Sequence, residues 1–443
     1  MHEKIKRVEQ ALKPFRIWLY LALLTLVFVI QVLEIGIPME LLLVIVAAIA
    51  LGSDRTQLLE LTICFIPLFS MIQYLYALAV CMMVFVVKHH QELRWNNAIL
   101  VLAVMFGWEM AHHPISVGNA VSAVRVIAPL TFCCFLMMIR GNQFHYPRLV
   151  RRLSIWVIVT SVIIWLRCAN VSGLGVVGYI LDGSRLGIVK HSISNIVIMN
   201  PNTWGFVCLM PIIGLLQLRV TGKGRVLDWV TMSVLFLLGT LTQSKTFFLC
   251  FAIALVLFMR ILSPDRKAFA FRLMVMSGLG VIALILALRL FPNLTKPLLR
   301  RLVASDSNNL RIKIFLEYTR YLFTDMRGLL FGFGAHDLKS KIIGTFTDVP
   351  HNALQEIVVV WGIFGLAFFG LFMYTYIVSS KKWNKNQKMV NYIPLVLLLI
   401  KIQLGQFVTA GHTLLLLSFA YMSLCYRFYP VDGRPKVGEQ QNS

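Results

Sequence analysis

The chain has 443 residues, of which 58% are hydrophobic and 14% are charged, and its formal net charge is +23. Soluble domains carry about a quarter charged residues, so the composition excludes an ordinary soluble protein. Several apolar runs approach or exceed the length needed to span a bilayer, which predicts an all-α, polytopic membrane protein. The positive charge does not indicate nucleic-acid binding, because more than half of the 42 Lys and Arg residues lie in short segments that the positive-inside rule places in the cytoplasm.

The first apolar run, residues 17–33, follows a basic N-terminal segment and precedes no small-residue cleavage site. We therefore expect it to remain as the first membrane span. The run 58–87 would be about 45 Å long as a helix, which is too long for one span. If Arg55 and residues 88–94 both face the cytoplasm, this run crosses twice as a tight hairpin; a single crossing remains the alternative.

The remaining runs complete a single membrane domain over 1–443, with 12–14 transmembrane helices and both termini in the cytoplasm. Two outer loops are predicted: 170–202, which is rich in Gly and Ser, and the large loop 291–352. Within the large loop, residues 308–323 predict an amphipathic helix along the outer membrane–water interface. Its apolar stripe comprises Leu310, Ile314, Phe315, Tyr318 and Leu322.

The eight cysteines lie in apolar runs or at their edges, without a CxxC pair and without a Cys/His spacing that suits zinc. The sequence therefore supports neither a disulfide framework nor a metal site.

The large loop ends where an apolar helix is expected to begin. Pro350 suits a first helical turn, and Asp348 before it can cap the helix. His351 and Asn352 would then lie in the first turn, where free N–H groups favour an anion, with Glu356 on the face of Asn352. A neutral imidazole there can accept a proton near pH 7. The alternative interpretation is that this His and Asn only cap a helix.

Cations on the outer side form the second signal. Arg185 lies in the first outer loop, and Lys245 lies alone in a tight outer turn, where the orientation rule gives no reason for a cation. Such cations suit a diphosphate leaving group. The large loop carries nine more, for most of which a solvated surface is the simpler explanation: Lys296, Arg300, Arg301, Arg311, Lys313, Arg320, Arg327, Lys339 and Lys341.

Three ionisable residues, Arg125, Glu356 and Lys401, fall within apolar runs. An ionisable group inside the membrane is costly and marks a candidate site. Snorkelling to the surface or an internal ion pair is the competing explanation.

The order of these features resembles a known family. Arg185 with a downstream Pro-Asn-x-x-Gly, a Gln-Ser-Lys turn, an Arg-rich loop ending in Gly-x-Gly, and Pro-His-Asn-x-x-Leu-Gln-Glu before Gly362-Ile-Phe-Gly365 follow one another. Together they resemble the O-antigen polymerase and O-antigen ligase superfamily of bacterial membrane glycosyltransferases. The resemblance covers about 180–372, whereas the N-terminal third matches only in hydropathy.

The resemblance implies an enzyme at the outer face of the bacterial inner membrane that uses a glycan linked to undecaprenyl diphosphate as donor. His351 would be the base that acts on the acceptor hydroxyl, and Arg185, Lys245 and Arg311 would hold the diphosphate. Asn202, Asn352 and Glu356 would also contact substrate, and neither a metal nor a cofactor would be needed. The family more often has Arg at the position of Lys245; Lys keeps the charge but loses the bidentate fork.

The resemblance leaves the acceptor open. We expect a polymerase that joins lipid-linked repeat units into O-antigen or capsule, and the close alternative is a ligase that transfers the glycan to a lipid A–core acceptor. The expected partners are these donors and acceptors, membrane lipid, a chain-length regulator and a flippase, but no nucleic acid. A transporter or flippase is the alternative from another class, and it would have ionisable residues spread through the spans and paired broken helices.

Overall fold

The computed structural model describes residues 2–64, 72–93, 97–112, 120–138, 145–189, 196–303, 306–334, 352–379 and 385–403. These residues form 17 α-helices, a 3-10 helix at His90–Glu92, and an antiparallel hairpin of β1 (Ile188–Val189) and β2 (Ile196–Val197). The helices are α1 (His2–Val32), α2 (Met39–Leu51), α3 (Arg55–Cys64), α4 (Ile72–Lys88), α5 (Asn97–His112), α6 (Ala120–Leu136), α7 (Tyr146–Ser172), α8 (Gly175–Leu181), α9 (Pro201–Val220), α10 (Val226–Leu241), α11 (Lys245–Leu262), α12 (Arg266–Leu290), α13 (Pro292–Val303), α14 (Asp306–Thr324), α15 (Met326–Phe331), α16 (Ala353–Ser379) and α17 (Lys385–Gln403).

Six of these helices contain stretches long and apolar enough to cross a bilayer: α1, α7, α9, α11, α12 and α16. Shorter apolar helices of 10–17 residues lie in α2, α4, α5, α10 and α17. The prediction of an all-α, multi-pass membrane protein is confirmed at this level. The finer prediction of 12–14 spans stays a prediction.

Helix α9 forms the centre of the bundle. It packs against α7, α10 and α11, and 89% of its span is buried, compared with none of the span of α12. Two glycines allow this close packing: a Cβ on Gly205 would lie 3.0 Å from the Ser244 Cβ, and one on Gly214 would lie 2.8 Å from the Val150 methyls. The tight contact at Gly205 brings the start of α9 against the start of α11.

Four of the segments predicted to be cytoplasmic meet at one end of the bundle, namely 1–16, Arg55, 88–95 and 140–152. Arg55 pairs with Glu92 at 2.6 Å and donates to the Met138 carbonyl oxygen at 2.9 Å, while Arg151 pairs with Asp228 at 3.0 Å. Further bonds at this end are Arg16 to Gln57, at 2.8 Å, and the ion pair Arg152–Glu60. We call the end defined by Arg16, Arg55, Glu92, Arg151, Arg152 and Asp228 the basic end.

The run 58–87 returns to the end from which it starts. Arg55 begins α3 and Glu92 follows α4, so their ion pair joins the two ends of the run. This is the connectivity that the predicted hairpin requires. Helix α3 has 10 residues and is therefore about 15 Å long, half of the hydrocarbon thickness.

The regions predicted as outer loops are mostly helical where the structure describes them. Within 170–202, helix α7 continues to Ser172, and α8 and the hairpin follow. Within 291–352, the expected amphipathic helix is present as α14, and Ile314, Tyr318 and Leu322 are buried as its stripe predicts. Phe315 departs from that stripe, since it is 44% exposed.

Helices α13 and α15 were not predicted. Helix α13 begins at Pro292, a favourable first position, and it contains Pro297, which is unfavourable inside a helix. Asp325 caps α15 by accepting from the N–H groups of Arg327 and Gly328 at 3.0 and 3.1 Å.

Candidate functional site

Arg185 lies in the turn between α8 and β1, where its guanidinium makes two hydrogen bonds. Its Nε donates to the Thr242 carbonyl oxygen at 2.7 Å, and its Nη2 donates to the Asn202 amide oxygen at 2.8 Å. Both acceptors are neutral, and the two bonds fix the direction of the guanidinium. They also bring together the Arg185 loop, the start of α9 and the turn before α11, which are distant in the sequence.

Tyr179 of α8 holds the loop that carries Arg185. Its hydroxyl lies 2.7 Å from the carbonyl oxygens of both Arg185 and Ile188, and the Leu186 N–H donates to the Leu241 carbonyl oxygen at 2.9 Å. Burial raises the pKa of the Tyr179 phenol above its ordinary value, so the hydroxyl keeps its proton and can donate. Gly187 has φ of 95°, and a Cβ there would lie 2.3 Å from the Met199 carbonyl oxygen. The backbone around Arg185 is therefore held from both sides.

The start of α9 presents Asn202 to Arg185. Asn200 is the N-cap, and its side chain accepts from the Asn202 N–H at 3.0 Å. Pro201 occupies the first helical position, where its missing N–H costs little. Asn202 therefore lies in the first turn of a buried helix, and it is itself half-buried.

The turn between α10 and α11 completes this group. Gln243 has φ of 50° and donates from Nε2 to the Gly183 carbonyl oxygen at 2.9 Å. Ser244 is fully buried and caps α11 by accepting from the Phe247 N–H at 3.3 Å. The Gln-Ser part of the motif is thus structural: it ties the turn to the Arg185 loop and starts the next helix.

Lys245, by contrast, is exposed at the first position of α11. A cation in the first turn of a helix is disfavoured by the helix dipole. Its charge therefore does not help α11 to form, and its role in anion binding stays a prediction. We call Arg185, Asn202 and the 242–245 turn the Arg185 cluster.

The start of α16 differs from the prediction. The Asn352 side chain accepts from the Gln355 N–H at 3.1 Å, and its carbonyl accepts from the Glu356 N–H at 2.8 Å. Asn352 is therefore the N-cap of α16, and the prediction that it lies in the first turn of the helix is wrong. Asp348, Pro350 and His351 lie outside the described residues.

The side chain of Gln355 makes contacts with α14 that the sequence did not predict. Its Nε2 donates to the Phe315 carbonyl oxygen at 2.6 Å and to the Thr319 hydroxyl at 2.9 Å. These bonds fasten α14 to the first turn of α16, next to the segment that contains His351. The backbone of Arg311 lies on α14, whereas its side chain is outside the described residues.

Glu356 was predicted to contact substrate, but its side chain is 0% exposed. The structure places it inside the protein, one turn after the cap. Direct contact with a polar substrate would require an opening next to α16.

Helix α16 is broken at Gly362, which has φ of 70° and ψ of −168°. The Gly332-Phe333-Gly334 segment lies alongside the break, with N–H groups of Phe333 and Gly334 donating to the Val359 and Val360 carbonyl oxygens at 2.8 and 3.0 Å. A Cβ on Gly332 would lie 2.2 Å from the Val360 oxygen, and one on Gly362 would lie 2.1 Å from the Leu330 oxygen. The two glycine motifs therefore interlock, and they fasten the 332–334 segment to the middle of α16.

Within the described ranges, no three His, Cys, Asp or Glu side chains form a group that could hold a metal ion. The seven cysteines in those ranges are free thiols: Cys64, Cys81, Cys133, Cys134, Cys168, Cys208 and Cys250.

The structure thus brings Arg185 and Asn202 into direct contact and places Lys245 on the same turn as Thr242, the other acceptor of Arg185. Asn352 caps α16 and Glu356 lies in its first turn, whereas His351 is outside the described residues. Comparison of the sequence with models of known protein families and with curated proteins gives no match.

Proposed function

We propose that this chain is a membrane glycosyltransferase that polymerises oligosaccharide repeat units carried on undecaprenyl diphosphate into a surface polysaccharide. The observation that carries the proposal is the Arg185 cluster, in which three separate parts of the ordered motif set converge. The guanidinium of Arg185 is oriented there by its hydrogen bonds to Thr242 and Asn202, next to the turn that leads to Lys245. The resemblance supplies the substrate class.

The position of the cluster supports an outer-face site. It lies at the start of α9, whereas the far end of α9 reaches Arg219, which stacks over Trp229 of α10 at 5.0 Å. The intervening 20 residues span about 30 Å, the thickness of the hydrocarbon core. If the basic end faces the cytoplasm, as the positive-inside rule favours, the Arg185 cluster faces outward with 12–14 spans between the cytoplasmic termini.

The proposed reaction is attack of an acceptor hydroxyl on the anomeric carbon of the donor. The new C–O bond forms as the bond from that carbon to the diphosphate oxygen breaks, and the electron pair leaves with the lipid diphosphate. His351 takes the hydroxyl proton, while Arg185, Lys245 and Arg311 stabilise the growing negative charge on the leaving group. One transfer inverts the anomeric centre, as the family resemblance implies.

A ligase would use the same donor chemistry with a lipid A–core acceptor, and it remains the close alternative. The transporter alternative gains one supporting feature, the break in α16 near the buried Glu356. The two carbonyls before that break accept hydrogen bonds from Phe333 and Gly334, so those bonds lock the backbone there. This is why we favour an enzyme.

Loss of the gene in its host separates the three functions. Without a polymerase, single repeat units accumulate at the outer face, and without a ligase, finished polymer accumulates on undecaprenyl diphosphate. Without a flippase, single repeat units accumulate at the cytoplasmic face. Analysis of the lipid-linked glycans in intact and opened cells checks this, and only the first outcome agrees with the proposal.

The catalytic part of the proposal depends on His351. We expect His351→Ala to lower the polymerisation rate about 10²- to 10⁴-fold, the usual contribution of a general base. The amount of inserted protein should be unchanged, as measured by immunoblot of membranes. Chains of wild-type length in this variant would remove His351 from the mechanism.

A further inference from the structure

Lys401 lies in the last turn of α17 and within an apolar run. Its Nζ is 6.0 Å from the centre of the Phe206 ring, a cation–π distance. Phe206 follows Asn202 by four residues on α9, so it lies one helical turn, about 5–6 Å, from the Arg185 cluster. The ammonium of Lys401 is therefore held close to the cluster on its membrane side.

Other contacts of α17 give Lys401 the same position relative to α9 and α11. The Gln217 side chain donates to the Val390 carbonyl oxygen at 3.2 Å, so α17 runs antiparallel to α9 between this contact and the one at Phe206. The Cys250 thiol lies 3.9 Å from the Leu397 carbonyl oxygen. One turn further along α17 from Leu397 is Lys401, and one turn back along α11 from Cys250 is its first turn.

These contacts place a third cation, Lys401, about one helical turn from the N-terminal ends of α9 and α11, where Asn202 and Lys245 lie. Helix dipoles make those ends positive, which disfavours cations there. An ammonium in an apolar run is also costly. A bound anion of high charge would stabilise cations at these helix ends, and Lys401 would contact it from the level of the hydrocarbon core.

We propose that Lys401 binds the diphosphate of the lipid-linked donor from the membrane side of the Arg185 cluster. This inference rests on the proposed function and sharpens its substrate class: the site takes a diphosphate that is attached to a lipid. A soluble diphosphate, such as that of a nucleotide sugar, approaches from water and meets Arg185 and Lys245 first.

The test is binding rather than activity. Purified protein in lipid nanodiscs is titrated with undecaprenyl diphosphate and, separately, with inorganic diphosphate. Lys401→Met removes the charge and keeps an apolar chain, and we expect it to weaken binding of undecaprenyl diphosphate about 10-fold or more. Lys401→Arg should bind within about 3-fold of wild type, and inorganic diphosphate should bind almost equally to all variants.

Lys88→Met is the matched control, because Lys88 also lies in the last turn of an apolar helix, on the segment that ends at the basic end. It should bind like wild type. Lys401→Gln replaces Lys401→Met if the latter does not fold, as judged by thermal unfolding. Equal binding by wild type and the neutral variants overturns the role of Lys401 alone, whereas a wild-type protein that does not bind undecaprenyl diphosphate overturns the proposed function and this inference with it.

Discussion

At the basic end, Arg55, Arg151 and Arg152 each pair with a carboxylate, whereas in the Arg185 cluster the guanidinium of Arg185 donates to a carbonyl oxygen and an amide oxygen. The ion pairs at the basic end join helices and offset charge at the same time. The bonds of Arg185 to these neutral oxygens give an equally fixed geometry at the place where three parts of the ordered motif set meet. The comparison separates cations that hold the bundle together from cations that are candidates for substrate binding.

The largest effect should come from removing one cation of each kind. We expect Arg185→Ala to lower the rate of glycan polymerisation about 100-fold or more, since it removes a donor to the developing charge. It should lower the free energy of unfolding by about 2 kcal/mol, since each of the two hydrogen bonds lost has a usual net value of about 1 kcal/mol. Both quantities are measured on the same preparation, as glycan formed per folded protein and as thermal unfolding.

Arg151→Ala is the matched change at the basic end. It leaves Asp228, which is 3% exposed, without its ion-pair partner, and should lower the free energy of unfolding by about 3 kcal/mol. The rate per folded molecule should not change. If both variants lose activity and stability in the same proportion, the distinction between the two ends is wrong.

A change that alters packing without altering charge sharpens the comparison. Gly362→Ala should lower the free energy of unfolding by about 3 kcal/mol, because φ of 70° is costly for Ala and the new Cβ would lie 2.1 Å from the Leu330 oxygen. Gly370→Ala in the same helix meets nothing within 4 Å and is the control. Thermal unfolding in detergent checks both variants, and equal stability would contradict the interlock.

The next effect tests whether charge or a hydrogen-bonding fork matters at Lys245. Lys245→Ala should lower the polymerisation rate about 10-fold, and Lys245→Arg should keep the rate, since either side chain supplies the charge. Lys267→Ala is the control, because Lys267 is also exposed in the first turn of an apolar helix, α12, which begins after α11 has returned from the site. Equal activity of all three variants would mean that Lys245 does not bind the diphosphate.

Local rules predicted some parts of this molecule and not others. Hydrophobic runs predicted the helices, and the periodicity of Ile314, Tyr318 and Leu322 predicted the buried face of α14. The cap of α16 was misplaced because Asp348 and Asn352 are both good N-cap residues, and local preference does not choose between them. Tertiary contact decides such cases.

In the candidate site, too, the sequence predicted some features, and others depend on tertiary contacts. The order of motifs singled out Arg185, Asn202 and Lys245, and the structure brings these parts of the chain together. The bonds from Gln355 to Phe315 and Thr319, and the interlock of Gly332 with Gly362, join residues about 30–40 positions apart. A single sequence carries no signal for such pairs beyond the presence of Gly where backbones approach closely.

The smallest effect should come from Tyr179, which acts on Arg185 only through the backbone. Tyr179→Phe removes the hydroxyl that faces the Arg185 and Ile188 carbonyl oxygens, and should lower the free energy of unfolding by about 1 kcal/mol and the polymerisation rate a few-fold. Because burial raises the pKa of this phenol, the wild-type bond persists at least up to its ordinary pKa of about 10 and is lost only above it. The ratio of variant to wild-type rate should therefore stay constant between pH 6 and about 9, as measured on purified membranes. A ratio that changes in this range would mean that Tyr179 itself titrates during the reaction. The Arg185 cluster would then include a proton donor as well as cations.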